Sequence, residues 1–511
     1  STTTITGVIT DGDNSYSVTK TGNGLLYLSS SSGNTYDGGT TISAGEIEVR
    51  NHNDNLGTGT VTINDGAGLD IYNRTISNSL IINGAYTSSY GNLFSSNTGT
   101  YTGTILMNAA ASIGGNGTLT ISGVIDDGGN NYTLTKIGTG TVYLTATNTY
   151  GGGTIIQDGS LGIANDDNLG DIPGSTDADH IQLGTSNATL FATADVTINT
   201  ARGITLLADG NALGADSGDQ LTYNGIITGD YNLTIARNAS GTVVLGGTNT
   251  YSGSTNVSSG TLKISADVNL GTAPAEATAN HLYLSGGHLH TTTTMTLNSN
   301  RGMHLNTSWS YLEVADTTTL TYDGIITGTS TSYDLVLNYS GTTGTLVLGG
   351  TSTYVGSTKI YDGTLSISDE LNLGPTSCNN TDCIDLYNAG VLQITDDVTF
   401  GSNQGIDIAN SDNTKILIAT GKTLTLNHEF YNSGNGAYVL TINDGSHDGK
   451  LHMTTSAVAP SNSAYFSFTD STNGGFVVAN GTLQLDDYRN LTYNSSYTSY
   501  LTMASGSTLI L

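Results

Sequence analysis

The sequence predicts an all-β protein whose short strands coil into a parallel β-solenoid, and three observations lead to this prediction. The 511 residues include 68 Gly but only 4 Pro, and 11 % are charged, a composition unlike that of a helical or ordinary α/β protein. Hydrophobic residues make up 36 %, which suffices when the core is a narrow column along a solenoid axis. One strand pattern also returns at long intervals, for which a Greek-key sandwich gives no reason.

The recurring unit starts with a glycine followed by two aliphatic residues. Its clear copies begin at Gly7, Gly123, Gly225 and Gly324, which are 116, 102 and 99 residues apart. An alternating strand, a Thr-Tyr corner and a second alternating strand follow in the same order, and the corner tyrosines are Tyr36, Tyr150, Tyr251 and Tyr354. We therefore predict one continuous solenoid of about five degenerate repeats of roughly a hundred residues. They span residues 1–117, 118–218, 219–317, 318–420 and the incomplete 421–511.

Alternation in the second strand of each repeat predicts which side chains face the core. Its apolar pairs are Ile47/Val49, Leu161/Ile163, Leu262/Ile264, Leu365/Ile367 and Leu483/Leu485. Successive side chains of a strand point to opposite faces, so these pairs share one face. The residues between them vary freely and are predicted to be solvated: Glu48, Gly162, Lys263, Ser366 and Gln484.

Charge and hydropathy exclude several classes of partner. The chain carries 13 Lys and Arg against 42 Asp and Glu, a formal net charge of −29. A field of this sign repels nucleic acid and anionic lipid surfaces. No stretch approaches the ~20 apolar residues of a membrane span, so no transmembrane segment is predicted in this chain.

Enzymatic activity is not predicted. Adjacent carboxylates such as Asp126 and Asp127 would point to opposite faces of a strand, whereas glycoside hydrolysis needs two carboxyl groups about 5 to 9.5 Å apart. The sequence also lacks the common nucleophile, nucleotide-binding and zincin motifs. No catalytic or cofactor-binding residues are therefore nominated.

Two sets of residues are candidate metal ligands. The histidines concentrate at His281, His288, His290 and His304, where a transition-metal site is conceivable, but a tolerant surface position explains them better. Acid-rich turns offer oxygen ligands for calcium, and the candidates are Asp11, Asp13, Asp166 and Asp167. Solvated turns are the favoured alternative, so no cofactor is predicted unless it is calcium.

The chain has two cysteines, Cys378 and Cys383, which flank a four-residue segment. A local disulfide is predicted if the protein resides in an oxidising compartment. The alternative is a pair of reduced thiols in a loop, because two cysteines alone make a poor zinc site.

Several segments resemble the autotransporter-associated β-strand repeat. They run from Thr19 to Gly45, from Lys136 to Leu161 and from Asn249 to Leu262, with Gly-rich turns and an Asn-Thr-Tyr corner in each. The resemblance implies a right-handed parallel β-helix, exposed on or released from a cell surface as the passenger of a secreted adhesin. We therefore expect a non-enzymatic, extracellular structural or adhesive protein. A carbohydrate-binding or polysaccharide-cleaving β-helix is the alternative.

The two ends of the chain predict a mode of assembly. Residues 2–7 match 318–324, and residues 501–511 match 282–290, shortly before that same strand. Each end is therefore expected to expose a rung with unpaired backbone groups, and such ends are complementary head to tail. The chain is expected to stack into a filament, sheath or surface layer, or to be part of a longer solenoid. Its expected partners are further copies of itself and host or neighbouring cell-surface glycans.

Overall fold

The computed structural model is an all-β parallel solenoid, as the sequence predicts. It describes residues 1–85, 90–184, 187–374, 382–401, 404–409, 413–428, 430–432, 439–454, 466–468, 475–486 and 500–511. Every pair of strands in its ladders is parallel, which requires each strand to be reached by a crossover rather than a hairpin. No helix in the described part of the chain is long and apolar enough to cross a membrane. The chain divides into two compact units, Ser1–Gly253 and Ser254–Leu511.

The described strands of the first unit belong to four parallel sheets. Within each sheet, every strand is hydrogen-bonded to the strands named before and after it. The first sheet comprises β1 (Thr2–Ile5), β3 (Leu25–Leu28), β5 (Gly45–Val49), β7 (Ala67–Ile71), β10 (Leu93–Phe94), β13 (Ala111–Gly114), β16 (Leu134–Ile137), β18 (Thr154–Ile156), β20 (Asp177–Leu183), β23 (Arg202–Leu206) and β26 (Ile227–Thr228). The second comprises β8 (Thr75–Ile76), β11 (Thr98–Tyr101), β14 (Thr118–Ile121), β17 (Thr141–Leu144), β19 (Ser160–Ile163), β21 (Thr189–Ala192), β24 (Asn211–Ala215) and β27 (Leu233–Ile235). The third comprises β2 (Val18–Lys20), β4 (Thr40–Ile42), β6 (Val61–Ile63), β9 (Leu80–Ile82), β12 (Ile105–Met107) and β15 (Ile125–Asp126). The fourth comprises β22 (Val196–Ile198), β25 (Gln220–Tyr223) and β28 (Thr242–Leu245).

The second unit has the same construction. One sheet comprises β29 (Thr255–Val257), β31 (Thr278–Leu284), β34 (Arg301–Leu305) and β37 (Ile326–Thr327). The next comprises β30 (Thr261–Ile264), β32 (His288–Thr291), β35 (Trp309–Val314), β38 (Asp334–Leu337), β40 (Thr358–Ile360), β42 (Asp382–Leu386), β45 (Gly405–Ile408), β48 (Phe430–Asn432) and β51 (Phe466–Phe468). The third comprises β33 (Met295–Leu297), β36 (Thr319–Tyr322), β39 (Thr345–Leu348), β41 (Thr364–Ile367), β43 (Val391–Ile394), β46 (Lys415–Ile418), β49 (Val439–Ile442), β52 (Gly475–Val478) and β54 (Tyr500–Met503). The last comprises β44 (Val398–Phe400), β47 (Thr423–Leu426), β50 (Lys450–Met453), β53 (Thr482–Leu485) and β55 (Thr508–Ile510).

The core is the apolar column that alternation predicts. The inward pairs of the second strand are buried in all five copies, for example Leu161 and Ile163 in β19. In-register pairing places Leu161 beside Val142 of β17 and Leu190 of β21, so aliphatic side chains stack from rung to rung. This continuous contact stabilises a chain in which each rung touches only its neighbours.

The outward positions are more buried than predicted. Glu48 and Ser366 are 6 % and 4 % exposed, and Gly162 is buried as well. A Cβ atom on Gly162 would come within 2.8 Å of both the Phe191 and Tyr143 rings, because large side chains on adjacent rungs close over a small one. The prediction of a uniformly solvated outer face is therefore wrong, while Lys263 and Gln484 remain partly exposed.

The Asn-Thr-Tyr corner has a hydrogen-bonding explanation. The Asn148 side chain accepts a bond from the Ile125 amide at 2.9 Å and donates one to the Asn168 carbonyl at 2.6 Å. Two residues later, the buried Tyr150 hydroxyl lies 2.8 Å from the Thr154 hydroxyl. The side chains thus satisfy backbone groups that the corner leaves unpaired. The same tyrosine–threonine contact joins Tyr36 to Thr40 and Tyr354 to Thr358.

A short 3-10 helix follows the second strand of each of the first four predicted repeats. The four helices are Asn53–Leu56, Asp166–Leu169, Asp267–Leu270 and Glu370–Leu373. Each helix ends in an Asn-Leu pair. In the last three copies the side-chain oxygen of this asparagine accepts a hydrogen bond from the amide of the residue just before the helix. In the second copy the Asn168 side-chain oxygen, Oδ1, accepts bonds from the Ala164 and Asn165 amides.

Candidate binding surface

Six large rings form a row on the outer face of one sheet in the second unit, and we call this row the aromatic strip. It consists of His288, Trp309, Tyr311, Tyr339, Tyr361 and Tyr387. The strip crosses the consecutive strands β32, β35, β38, β40 and β42, or the residues immediately after them. His288 and Tyr311 occupy directly paired positions on neighbouring strands, and this register brings their two rings together.

The rings contact one another without interruption. His288 stacks on Tyr311 with centroids 4.0 Å apart, and Tyr361 stacks on Tyr387 at 4.3 Å. Tyr339 joins the two pairs, at 5.3 Å from Tyr311 and 4.9 Å from Tyr361. The two Tyr339 distances fall in the range of about 4.5–7 Å at which aromatic pairs attract each other.

Trp309 lies beside this central junction. Its ring is 5.5 Å from Tyr339 and 6.1 Å from Tyr311, in edge-to-face arrangements with both. The Lys359 ammonium is 5.4 Å from the indole and forms an ion pair with Asp334 at 3.0 Å. A cation at this distance from an indole is attracted to the ring, so Lys359 fixes one side of Trp309.

A buried carboxylate anchors the first end of the strip. Glu313 is 1 % exposed and lies 3.0 Å from the His288 imidazole. Burial raises the pKa of Glu313, but hydrogen bonds from His288, Ser340 and Thr342 outweigh burial and lower the pKa below its usual value. The carboxylate is therefore ionised at neutral pH, and it orients the imidazole that stacks on Tyr311.

Tyr361 and Tyr387 keep their hydroxyl protons at neutral and moderately alkaline pH. Burial raises the pKa of Tyr361 to about 12, with further contributions from Tyr339, Tyr311 and Asp385. Burial and the nearby Asp385 carboxylate also raise the pKa of Tyr387. The strip thus presents apolar ring surface together with hydroxyl donors.

Comparison with known proteins finds similarity in parts of this chain. A family model described as the passenger-associated-transport-repeat matches residues 18–49, 134–163, 240–264 and 337–367. Four segments of the chain are passenger-associated repeats. The resemblance predicted from the sequence is therefore confirmed. The chain is also 35 % identical over 259 residues to the adhesin BmaC autotransporter of Brucella suis biovar 1 (strain 1330), covering 48 % of this chain and 7 % of that protein. No solved structure matches the chain.

The second passenger-associated repeat contains a lysine clamp as well as the tyrosine corner. The Lys136 ammonium donates to the carbonyls of Ile137, Gly138 and Asp158 at 2.6 to 3.1 Å. Burial lowers the pKa of Lys136 to about 8, while the Asp158 carboxylate opposes this shift. Lys20 makes the corresponding bonds in the first repeat, where a glycine likewise lies two residues after the lysine.

The candidate histidines contact different neighbours. His288 belongs to the aromatic strip, His281 lies 3.4 Å from the Arg301 guanidinium, and His304 is hydrogen-bonded to Thr327. Within the residues that the structure describes, no group of three or more His, Cys, Asp or Glu side chains is arranged to hold a metal ion.

The calcium candidates lie in a turn and in the second 3-10 helix of the first unit. Asp11 accepts bonds from the Tyr16 and Asp37 amides, both at 3.1 Å, while Asp13 is exposed. Asp166 forms an ion pair with a buried arginine, and Asp167 is exposed beside it. Asp11 and Asp166 therefore already have protein partners, and calcium binding stays a prediction.

One of the two cysteines of the predicted disulfide lies in the described part of the chain. Cys383 lies in β42, whereas Cys378 lies outside the described residues. The bond between them stays a prediction.

Two buried arginines were not predicted from the sequence. The Arg202 guanidinium donates to the carbonyls of Leu169, Gly170 and Asp171, which end the second 3-10 helix, at 2.6 to 3.1 Å. It also pairs with Asp166 at 3.1 Å. Arg301 repeats the arrangement around the third helix, with Asp267 as its ion-pair partner. An Arg-Gly dipeptide 34 or 32 residues after the Asn-Leu asparagine was the available signal.

Proposed function

We propose that this chain is part of a non-enzymatic, extracellular adhesive passenger, displayed at a cell surface as a stiff β-solenoid. Four passenger-associated repeats support this proposal, together with the similarity to an autotransporter adhesin. The similarity spans 7 % of that adhesin, so the role of the whole relative is not carried over.

The finer architecture belongs to the same proposal. We infer a right-handed coil built from five degenerate repeats, the last incomplete. The recurrence of the tyrosine corner and the 3-10 helix at matched positions supports this division. End-to-end assembly into filaments stays a prediction from the sequence.

A flow-adhesion assay tests the adhesive role. Beads coated with the full chain are passed over monolayers of cultured epithelial cells, with albumin-coated beads as the control. Retention well above that of the control is expected. Retention equal to that of albumin would overturn the proposal.

A second assay tests the non-enzymatic part. The full chain is incubated with soluble polysaccharides, and newly formed reducing ends are measured over time. No release above a boiled control is expected. Sustained release of reducing ends would favour the polysaccharide-cleaving alternative.

A further inference from the structure

We propose that the aromatic strip binds a neutral polysaccharide, which lies across the strands of the sheet along the row of rings. This inference rests on the proposed adhesive function and names the class of ligand for it. A sugar ring has an apolar face of C–H groups and a rim of hydroxyl groups. Tyrosine and tryptophan match this chemistry because each combines an apolar ring with a hydrogen-bonding group.

The regular spacing of the rings along the strip indicates a polymeric ligand rather than a single small one. Neighbouring parallel strands lie about 4.8 Å apart, so outward residues at one position form a ladder with that period. Centroid distances along the ladder run from 4.0 to 5.3 Å, from His288 to Tyr387. A linear chain of ring-shaped units that crosses the strands meets a new side chain at each rung.

Tyr339 is the central contact. It is the most exposed large ring of the strip, at 43 %, and its plane is tilted by 51° to Tyr311 and 79° to Tyr361. The two flanking pairs are stacked within 7° of parallel and cover each other's faces. Tyr339 therefore has ring surface that no parallel neighbour covers, with Trp309 next to it.

Charge around the strip selects for a neutral ligand. The sheet carries carboxylates at Glu313, Asp334 and Asp385, and the neighbouring cation Lys359 is already paired with Asp334. The whole chain has a net charge of −29. Sulfated, sialylated or uronic-acid polymers would be repelled, whereas an uncharged polysaccharide is unaffected by this field.

Hydrogen bonding completes the match. Burial raises the pKa values of Tyr361 and Tyr387, so their hydroxyl groups stay protonated and can donate to sugar oxygens. An apolar protein partner would leave these polar groups without partners, which is unfavourable in a desolvated contact.

The chain contains its own reporter, because Trp309 is its only tryptophan. The full chain is titrated with a soluble β-glucan, an α-mannan, a xylan and heparin while indole emission is recorded. We expect a saturable change in emission with at least one neutral polymer and none with heparin. Weakening of that response by added neutral salt is not expected, since screening affects mainly charged contacts.

Three variants locate the binding surface. Tyr339→Ala is expected to weaken binding about tenfold, which corresponds to the loss of about 1.4 kcal/mol of aromatic contact. Tyr339→Phe keeps the ring and should retain most of the affinity. Tyr231→Ala is the matched control, since Tyr231 is 40 % exposed and lies in the other unit. Circular dichroism checks that all three variants keep the β spectrum.

The outcomes separate this inference from the adhesive role. Absence of any response to the three neutral polymers overturns the inference, as does a response to heparin alone. Equal affinities for Tyr339→Ala and Tyr231→Ala also overturn it, because binding would then occur elsewhere. If beads carrying the chain still adhere to cells in any of these cases, the proposed function stands and only the ligand class is wrong.

Discussion

Arg202 is predicted to hold together the turn that follows the second repeat's Asn-Leu pair. Its side chain is fully buried, and it bonds to three consecutive carbonyls and to the Asp166 carboxylate. Arg202→Ala removes all of these bonds at once. Arg202→Lys keeps the charge, but a compact ammonium cannot reproduce the planar fork of donors.

The magnitude follows from burial. Removing one member of a buried ion pair costs about 3–5 kcal/mol, because the other member is left uncompensated. The Leu169, Gly170 and Asp171 carbonyls would also lose a shared donor. We expect Arg202→Ala to lower the local free energy of unfolding by about 3–5 kcal/mol, and Arg202→Lys to lower it by roughly half of that.

Hydrogen exchange measured by mass spectrometry reports the loss of stability segment by segment. It is suited to a solenoid, because a solenoid does not unfold as one unit. For peptides covering residues 166–171, Arg202→Ala should raise the opening equilibrium by about two to four orders of magnitude. The control is Arg237→Ala, because Arg237 is 26 % exposed in its ion pair with Asp216. Equal exchange at 166–171 in the two variants would refute the clamp.

Three further predictions concern the core and its titrating groups. Leu262→Asp buries a charge in the apolar column, which should destabilise its rung by several kcal/mol and make it susceptible to protease. Lys263 is partly exposed, so the control Lys263→Asp should resist digestion as well as the unchanged chain does. Burial raises the pKa of Tyr150 from 10.0 to about 12, so its contribution is complete below pH 10 and is lost as pH rises toward 12. Melting temperatures that stay constant from pH 9 to 12 would contradict this. Burial also raises the pKa of Asp70 from 3.8 to about 6, despite hydrogen bonds from Ser96, so stability should fall as pH rises through that interval. Asp70→Asn should remove that part of the pH dependence, and an unchanged profile would show that another group causes it.

The inward face and the corners could be predicted because they depend on short-range patterns. Alternation within one strand identifies Leu161 and Ile163 as core residues without knowledge of their neighbours. The Asn-Thr-Tyr corner likewise recurs in the sequence with its spacing intact. Both features are repeated in several copies, which makes them visible against a background rich in Gly, Ser and Thr.

The aromatic strip could not be located from the sequence. Trp309 and Tyr311 lie on one strand, but the other successive members, from His288 to Tyr387, are 21 to 28 residues apart along the chain, and the interval changes at every rung. Only the register of the sheet shows that they form one row. The burial of Ser366 was missed for the same reason, because it depends on Val347 and Gln393 of the adjacent strands.

The most direct test of the proposed adhesive role is bead retention under flow on epithelial monolayers, measured for the full chain, its Tyr339→Ala variant and albumin. The solenoid with its aromatic strip predicts the strongest retention for the unchanged chain and a clear loss for Tyr339→Ala. Retention of the unchanged chain no greater than that of albumin would contradict the account.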